Sequence, residues 1–250
     1  MNIRTAGADE GARWVSEGWR LFLRNPGMWI AITIVYLLIS MIAYYVPWRL
    51  GTLIFMLISP ALYAGLCHGA RELDEGRELA PEHLFIGLTD PRKRDPLLVL
   101  GLWQIGLNIA AAVVLAFVIL FMGGGAVMGA MMGGHAAHPV VAFTGAGLAA
   151  LLAGLCLFAL IAMALLYASP LVMFDGVAPV EALKASFDAC MKNIASMLVF
   201  GLIITVLTVI AVIPFGLGLL VLGPVLIGAI YASYKSIFSS AAKAGAPPAP

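Results

Sequence analysis

Hydrophobic and polar positions alternate along this chain in long blocks rather than residue by residue. Six stretches carry essentially no Lys, Arg, Asp or Glu and are long enough to cross about 30 Å of hydrocarbon. They are 27–46, 50–69, 97–122, 143–167, 197–213 and 216–234. Very short turns around Pro47 and Pro214 join the first pair and the last pair, so each pair is expected to form a tight helical hairpin. The pattern predicts an all-α, polytopic transmembrane bundle of six spans. Residues 1–240 form one integral membrane domain in this reading, and 241–250, rich in Ala and Pro, a disordered tail.

Between the blocks the period changes to that of an amphipathic helix. Arg13, Glu17, Arg20 and Arg24 recur at i, i+4, i+7 and i+11, with Trp14, Trp19, Leu21, Phe22 and Leu23 among them. This helix stops at Asn25-Pro26, because a proline disfavours helix in the residue before it. A second such helix opens at Pro179. Val180, Leu183, Phe187, Met191 and Ile194 form its apolar stripe, and Glu181, Lys184, Asp188 and Lys192 its polar one. Basic residues on one face and large apolar residues on the other suit the membrane–water interface. A soluble helix packed on a partner is the alternative.

These helices mark an internal repeat. Asn25, Pro47, Leu50-Gly51 and Ser59-Pro60 return as Asn193, Pro214, Leu217-Gly218 and Gly223-Pro224. A weaker middle copy runs from Pro81–Leu88 through spans three and four, with Ser169-Pro170 in the place of Ser59-Pro60. Repeats with an even number of spans share one orientation, so the repeat is parallel. Pro60, Pro170 and Pro224 lie inside the second span of each copy, where proline removes a backbone donor and kinks the helix. Ser59 and Ser169 stand ready to satisfy freed carbonyls.

Charge fixes an orientation. Of 14 Lys and Arg, 13 fall on one side of the six spans, and only Arg49 falls on the other. The positive-inside rule then puts both termini in the cytoplasm. Composition agrees: 62% of residues are hydrophobic, 11% charged, and the mean hydropathy is +1.03. A soluble domain carries about one quarter charged residues. Cys67, Cys156 and Cys190 lie far apart and suggest core packing rather than a disulfide framework. The first apolar stretch ends in Tyr44-Tyr45-Val46-Pro47-Trp48, unlike a signal-peptide cleavage site.

Candidate chemistry is sparse. Intramembrane ionisable residues point to ion paths and coupled transport, and none lies at mid-span. Gln104 and Asn108, one turn apart on span three, are either a hydrogen-bonding site for a polar solute or glue between helices. The segment between spans three and four is rich in Gly and Met and ends in His135-Ala-Ala-His138. His135 and His138 with thioether neighbours would suit copper, but a flexible exterior loop with incidental Met and His is the simpler reading. Glu72, Asp74, Glu75, Glu78, Glu82 and His83 precede span three, followed by Arg92-Lys93-Arg94. Their alternating signs fit a self-neutralising linker, with the basic triplet contacting anionic headgroups. No phosphate loop, zinc-protease motif or serine elbow occurs, and no basic face suggests nucleic acid.

The stretches Gly18-Trp19-Arg20-Leu21-Phe22-Leu23-Arg24-Asn25-Pro26 and Ser169-Pro170-Leu171-Val172-Met173-Phe174, continuing through Ala182–Phe187 to Asn193, resemble a family of uncharacterised bacterial six-span inner-membrane proteins. That family is similar in layout to the membrane domain attached to some glycerophosphodiesterases. The resemblance implies a fold and a location, not an enzyme, because the chain carries no phosphodiesterase catalytic portion.

The sequence thus suggests a non-catalytic membrane component without a cofactor. Its partners would be the lipid bilayer and a membrane protein or a second copy of itself, in an assembly or regulatory role. The alternatives are a small-solute transporter or channel between the repeated hairpins, with Pro60, Pro170 and Pro224 along its path, and a copper-binding factor.

Overall fold

The computed structural model describes residues 3–46, 50–131 and 139–239, and side chains over the same ranges except 121–131, 139–146 and 239. Pro47, Arg49, His135, His138 and the tail from 240 lie outside the described residues. The fold is all-α. In chain order the helices are α1 (Glu10–Arg24), α2 (Pro26–Tyr45), α3 (Leu50–Asp74), a 3-10 turn (Pro81–Phe85), α4 (Ile86–Thr89), α5 (Pro91–Met131), α6 (Pro139–Leu166), α7 (Ala168–Asp175), α8 (Pro179–Lys192), α9 (Ile194–Val212) and α10 (Leu219–Tyr234). A short π turn, Lys235–Ser239, ends the described chain.

Six of these segments are long and apolar enough to span: 26–45, 50–74, 91–120, 147–175, 194–212 and 219–238. They match the six hydrophobic blocks, with two differences. The first is α5, which runs 41 residues, roughly 60 Å at 1.5 Å per residue. The glycine run at 123–125, read from sequence as loop, continues the helix, and α6 already begins at Pro139. Helix satisfies the backbone of an apolar segment internally, which outweighs the weak glycine penalty. The second is the fourth span, which is not continuous. It breaks at Tyr167, and Ser169-Pro170 opens the separate helix α7 instead of kinking a long one. Glycine at 176, with φ 64°, then caps α7 in the left-handed region.

The chain divides into two compact units. One comprises residues 1–102 and 164–250, the other residues 103–163. In the first, the helices bearing the expected prolines, α3, α7 and α10, are the more buried ones. Pro60, Pro170 and Pro224 are each buried, while α2 and α9 present most of their surface outward. Within the second, Leu115 of α5 approaches Gly154 of α6.

The repeat is visible in how each pre-span segment docks. On α10, Gly18 of α1 lies against Val225 and Ala229, directly after Pro224. A Cβ at Gly228 would sit 3.0 Å from the Gly18 Cα. On α3, Gly87 of α4 lies against Ala61, directly after Pro60. On α7, the hydroxyl of Ser186 in α8 accepts a hydrogen bond from the Tyr167 N–H (2.9 Å), at the break preceding Ser169-Pro170. Each short helix therefore seats on the proline-bearing span of the copy before it, and α1 of the first copy seats on α10 of the last. Gly18 and Ser186 stand seven residues before Asn25 and Asn193, so the docking residue keeps its register.

One expectation is refined by this packing. The basic and apolar faces of α1 suit the membrane–water interface, but most of its apolar stripe packs on the protein itself: Gly11, Trp14, Gly18, Leu21 and Phe22 are buried, with α9 and α10 as the main neighbours. Trp19 and Leu23 remain exposed.

Candidate functional site

Two features of the larger unit carry chemistry: a polar end, where the short helices and the ends of α3 and α10 meet, and an apolar cleft beside Pro224. The polar end begins with the first described residues. The buried Asn193 side chain accepts from Ala6 N–H (2.5 Å) and donates to Arg4 C=O (3.1 Å) and Ala189 C=O (2.9 Å). The Arg4 N–H donates to Ile237 C=O (3.1 Å), and Ser196 donates to the carbonyls of Ala6 (3.0 Å) and Gly7 (2.8 Å). The segment ahead of α1 is thereby strapped across the α8–α9 corner and the end of α10. Arg4 holds Glu10 with two hydrogen bonds, 2.7 and 2.9 Å, and these keep the Glu10 carboxyl below its usual pKa.

Asn25 and Asn193 hold equivalent places in the repeat but do different work. Asn25 caps α2, its side chain accepting from Met28 N–H (3.2 Å). Asn193 makes no such cap. Its side chain reads the backbone of the N-terminal strap instead.

Deeper in the polar end, Asp74 pairs with Lys235 (2.6 Å) and Arg20 (3.8 Å), and Arg24 donates to the Leu73 carbonyl. The Tyr234 hydroxyl donates to Asp175 (2.6 Å), and the Arg71 guanidinium lies 5.3 Å from the centre of the Phe174 ring. His68 meets His83 edge-on at 5.3 Å and sits 3.5 Å from Glu72, which Arg77 also binds. Arg71 and Arg77 together hold the Glu75 carboxyl below its usual pKa. Glu72, Asp74 and Glu75 are committed to cations, with Asp74 tying α3 to Arg20 of α1 and to Lys235 after α10, while the Tyr234 hydroxyl ties α10 to Asp175 of α7. Among the described residues, no group of three His, Cys, Asp or Glu is placed to hold a metal ion. The three cysteines are free thiols, Cys67 and Cys190 buried and Cys156 exposed.

The interior at Pro60 and Pro170 is filled, and an apolar cleft opens beside Pro224. Tyr63 of α3 donates to the Leu166 carbonyl (3.0 Å), and Tyr167 donates to Ser233 of α10 (2.8 Å). Phe174 stacks between His68 and the rings of Tyr231 and Tyr234. Ser59 donates to Met56 C=O (3.0 Å), as expected for a serine before a helix-breaking proline, and Ser169 is buried. Gln104 and Asn108 lie in the other unit. Asn108 is exposed and donates to the Gln104 carbonyl (2.7 Å) within its own helix. His135 and His138 fall outside the described residues, so the copper reading has no geometry to weigh.

The apolar cleft was not anticipated. It holds about 170 Å³ between α2, α3 and α10 and is lined by Trp29, Tyr36, Tyr63, Leu66, Pro224 and Ile227 among others. Its signal in the sequence is Trp29, Thr33 and Tyr36 at i, i+4 and i+7, one face of span one, opposite the small Gly223. Nothing in the sequence says which span faces them.

A chain of six apolar helices, with its ion pairs gathered at one end, is an all-α, multi-pass membrane protein. It is 28% identical over 207 residues, 81% of this chain and 75% of the relative, to a protein of Burkholderia thailandensis named "Probable inner membrane protein". That similarity and the six spans support an inner-membrane location. No family model matches the chain, and no solved structure matches it.

Proposed function

We propose that this protein is a non-catalytic inner-membrane component that binds lipid or a membrane partner, with both termini and the polar end in the cytoplasm. The observation that carries the reading is the meeting place of the proline-bearing helices, which is filled apart from the apolar cleft beside Pro224 and holds no charged lining there. The spans bearing Pro60, Pro170 and Pro224 meet through Tyr63, Tyr167, Ser233 and Phe174, which occupy the place a solute path would need. Binding then belongs to outward surfaces, the cleft and the polar end. The bias of 13 of 14 basic residues to one side supports the orientation. The polar groups at that end are bonded to one another, which supports a structural rather than an acid–base role for them.

Reconstitution into liposomes tests this. The protein is expected to leave the flux of ions and small polar solutes unchanged, and to carry specific lipids or proteins through purification in mild detergent. A defined solute flux that Gln104→Leu abolishes would replace this reading with transport.

A further inference from the structure

We infer that the cleft between α2, α3 and α10 is a binding site for one acyl chain of a membrane lipid. Its position, shape and chemistry each argue for that occupant. Trp29 and Tyr36 stand seven positions apart on α2, so the cleft extends about 10 Å along the helix. Tyr63 and Leu66 line it from α3, and Gly223 and Ile227 from α10, all within membrane-spanning segments. The cleft, about 10 Å long and about 170 Å³ in volume, suits a stretch of polymethylene chain lying along the helices. It is smaller than the roughly 300 Å³ at which pockets for whole small molecules begin.

The lining offers a polar solute little. The Thr33 hydroxyl donates to Trp29 C=O (2.8 Å), and the Tyr63 hydroxyl is committed to Leu166 C=O (3.0 Å). No charged side chain lines the cleft. An apolar cavity of similar size, about 150 Å³, stays free of water and takes up small hydrocarbons. In a bilayer the hydrocarbon beside these spans is lipid. Gly223 keeps the slot open, since a Cβ there would reach only Thr33, at 3.8 Å.

The inference rests on the binding reading above, and its test does not depend on flux. The full chain is placed in nanodiscs of phosphatidylethanolamine and phosphatidylglycerol containing a phosphatidylethanolamine with a photoreactive diazirine midway along one chain. After illumination, peptides carrying the adduct are mapped by mass spectrometry. Adducts are expected to concentrate on Tyr36, Tyr63, Leu66 and Ile227, at least fivefold above outward positions such as Leu198 and Leu202. Gly223→Leu, which fills the slot, is expected to remove that excess, and Leu66→Trp does the same from α3 should the first variant not fold. Labelling spread evenly over the spans, or an excess that survives both substitutions, overturns the proposal. An unchanged flux with even labelling would end this site while leaving the binding reading intact; a solute flux with local labelling would do the reverse.

Discussion

Replacing Gly18 with alanine probes the crossing that closes the repeat. A Cβ at Gly18 would lie 2.6 Å from the Ala229 N and closer still to the Val225 carbonyl oxygen, while the Gly228 backbone crowds the same contact. These are backbone atoms, so no rotamer change relieves the clash. Reaching ordinary contact at 3.4 Å or more requires α1 to move outward by about 1 Å. In lipid, helices associate through such close packing rather than through a hydrophobic force between them. Overpacking of this kind costs about 1–3 kcal/mol. The better helix propensity of alanine returns about 1 kcal/mol, which leaves a net loss of roughly 0–2 kcal/mol. Gly201, on the outward face of α9, meets nothing within 4 Å and serves as the control. Gly201→Ala should stabilise by up to about 1 kcal/mol. The two variants should differ by about 2 kcal/mol, roughly a thirtyfold difference in the unfolding equilibrium. Unfolding in mixed micelles by a denaturing detergent, followed through tryptophan fluorescence, reads both, since Trp14 and Trp19 sit on α1 itself. Equal stability of the two variants would refute the docking of α1 at this point.

Three further outcomes follow from the polar end and the core. Asn193→Ala should strand the Ala6 N–H and the Arg4 carbonyl and cost about 1–3 kcal/mol; limited proteolysis should then cut ahead of α1 faster than in wild type. Because Arg4 holds the Glu10 pKa down, the stability from this pair is present in full above the ordinary glutamate pKa of about 4.3 and is lost as pH falls through the lowered folded-state value. The strap should resist protease equally at pH 8 and 6 and loosen only below about pH 4, and Glu10→Gln should remove that dependence. Tyr167→Phe should cost about 1 kcal/mol by deleting its hydrogen bond to Ser233, measured in the same unfolding assay.

How far the sequence could be read varies with the range of the interaction. Local patterns carried the six spans and the helices at Glu10–Arg24 and Pro179–Lys192, because hydropathy and the 3.6-residue period are local quantities. The repeat was legible as well, through asparagine and proline markers. What it does in three dimensions was not. The stripe of Trp14, Leu21 and Phe22 reads equally well as lipid-facing or as helix-facing, and only the glycine contact of Gly18 with Gly228, 210 positions apart, decides it. Asn193 matches Asn25 as a repeat marker, which says nothing of what its side chain bonds. Its real partners, Arg4 and Ala6, lie at the other end of the chain. The glycine run at 123–125 misled in the opposite way: a local loop signal yielded to the demand that backbone in an apolar setting bond to itself. The cleft depended on which three spans meet, which no single-sequence pattern encodes.

The central claim is a six-span bundle whose polar end faces the cytoplasm, and reporter fusions measure it most directly. A fluorescent protein that folds only in the cytoplasm and a phosphatase active only outside it would each be fused after Phe238 and, separately, inserted between Met131 and Pro139. The account predicts fluorescence without phosphatase activity at the first position and phosphatase activity without fluorescence at the second. Both positions reporting the same compartment, or the reverse assignment, would contradict it.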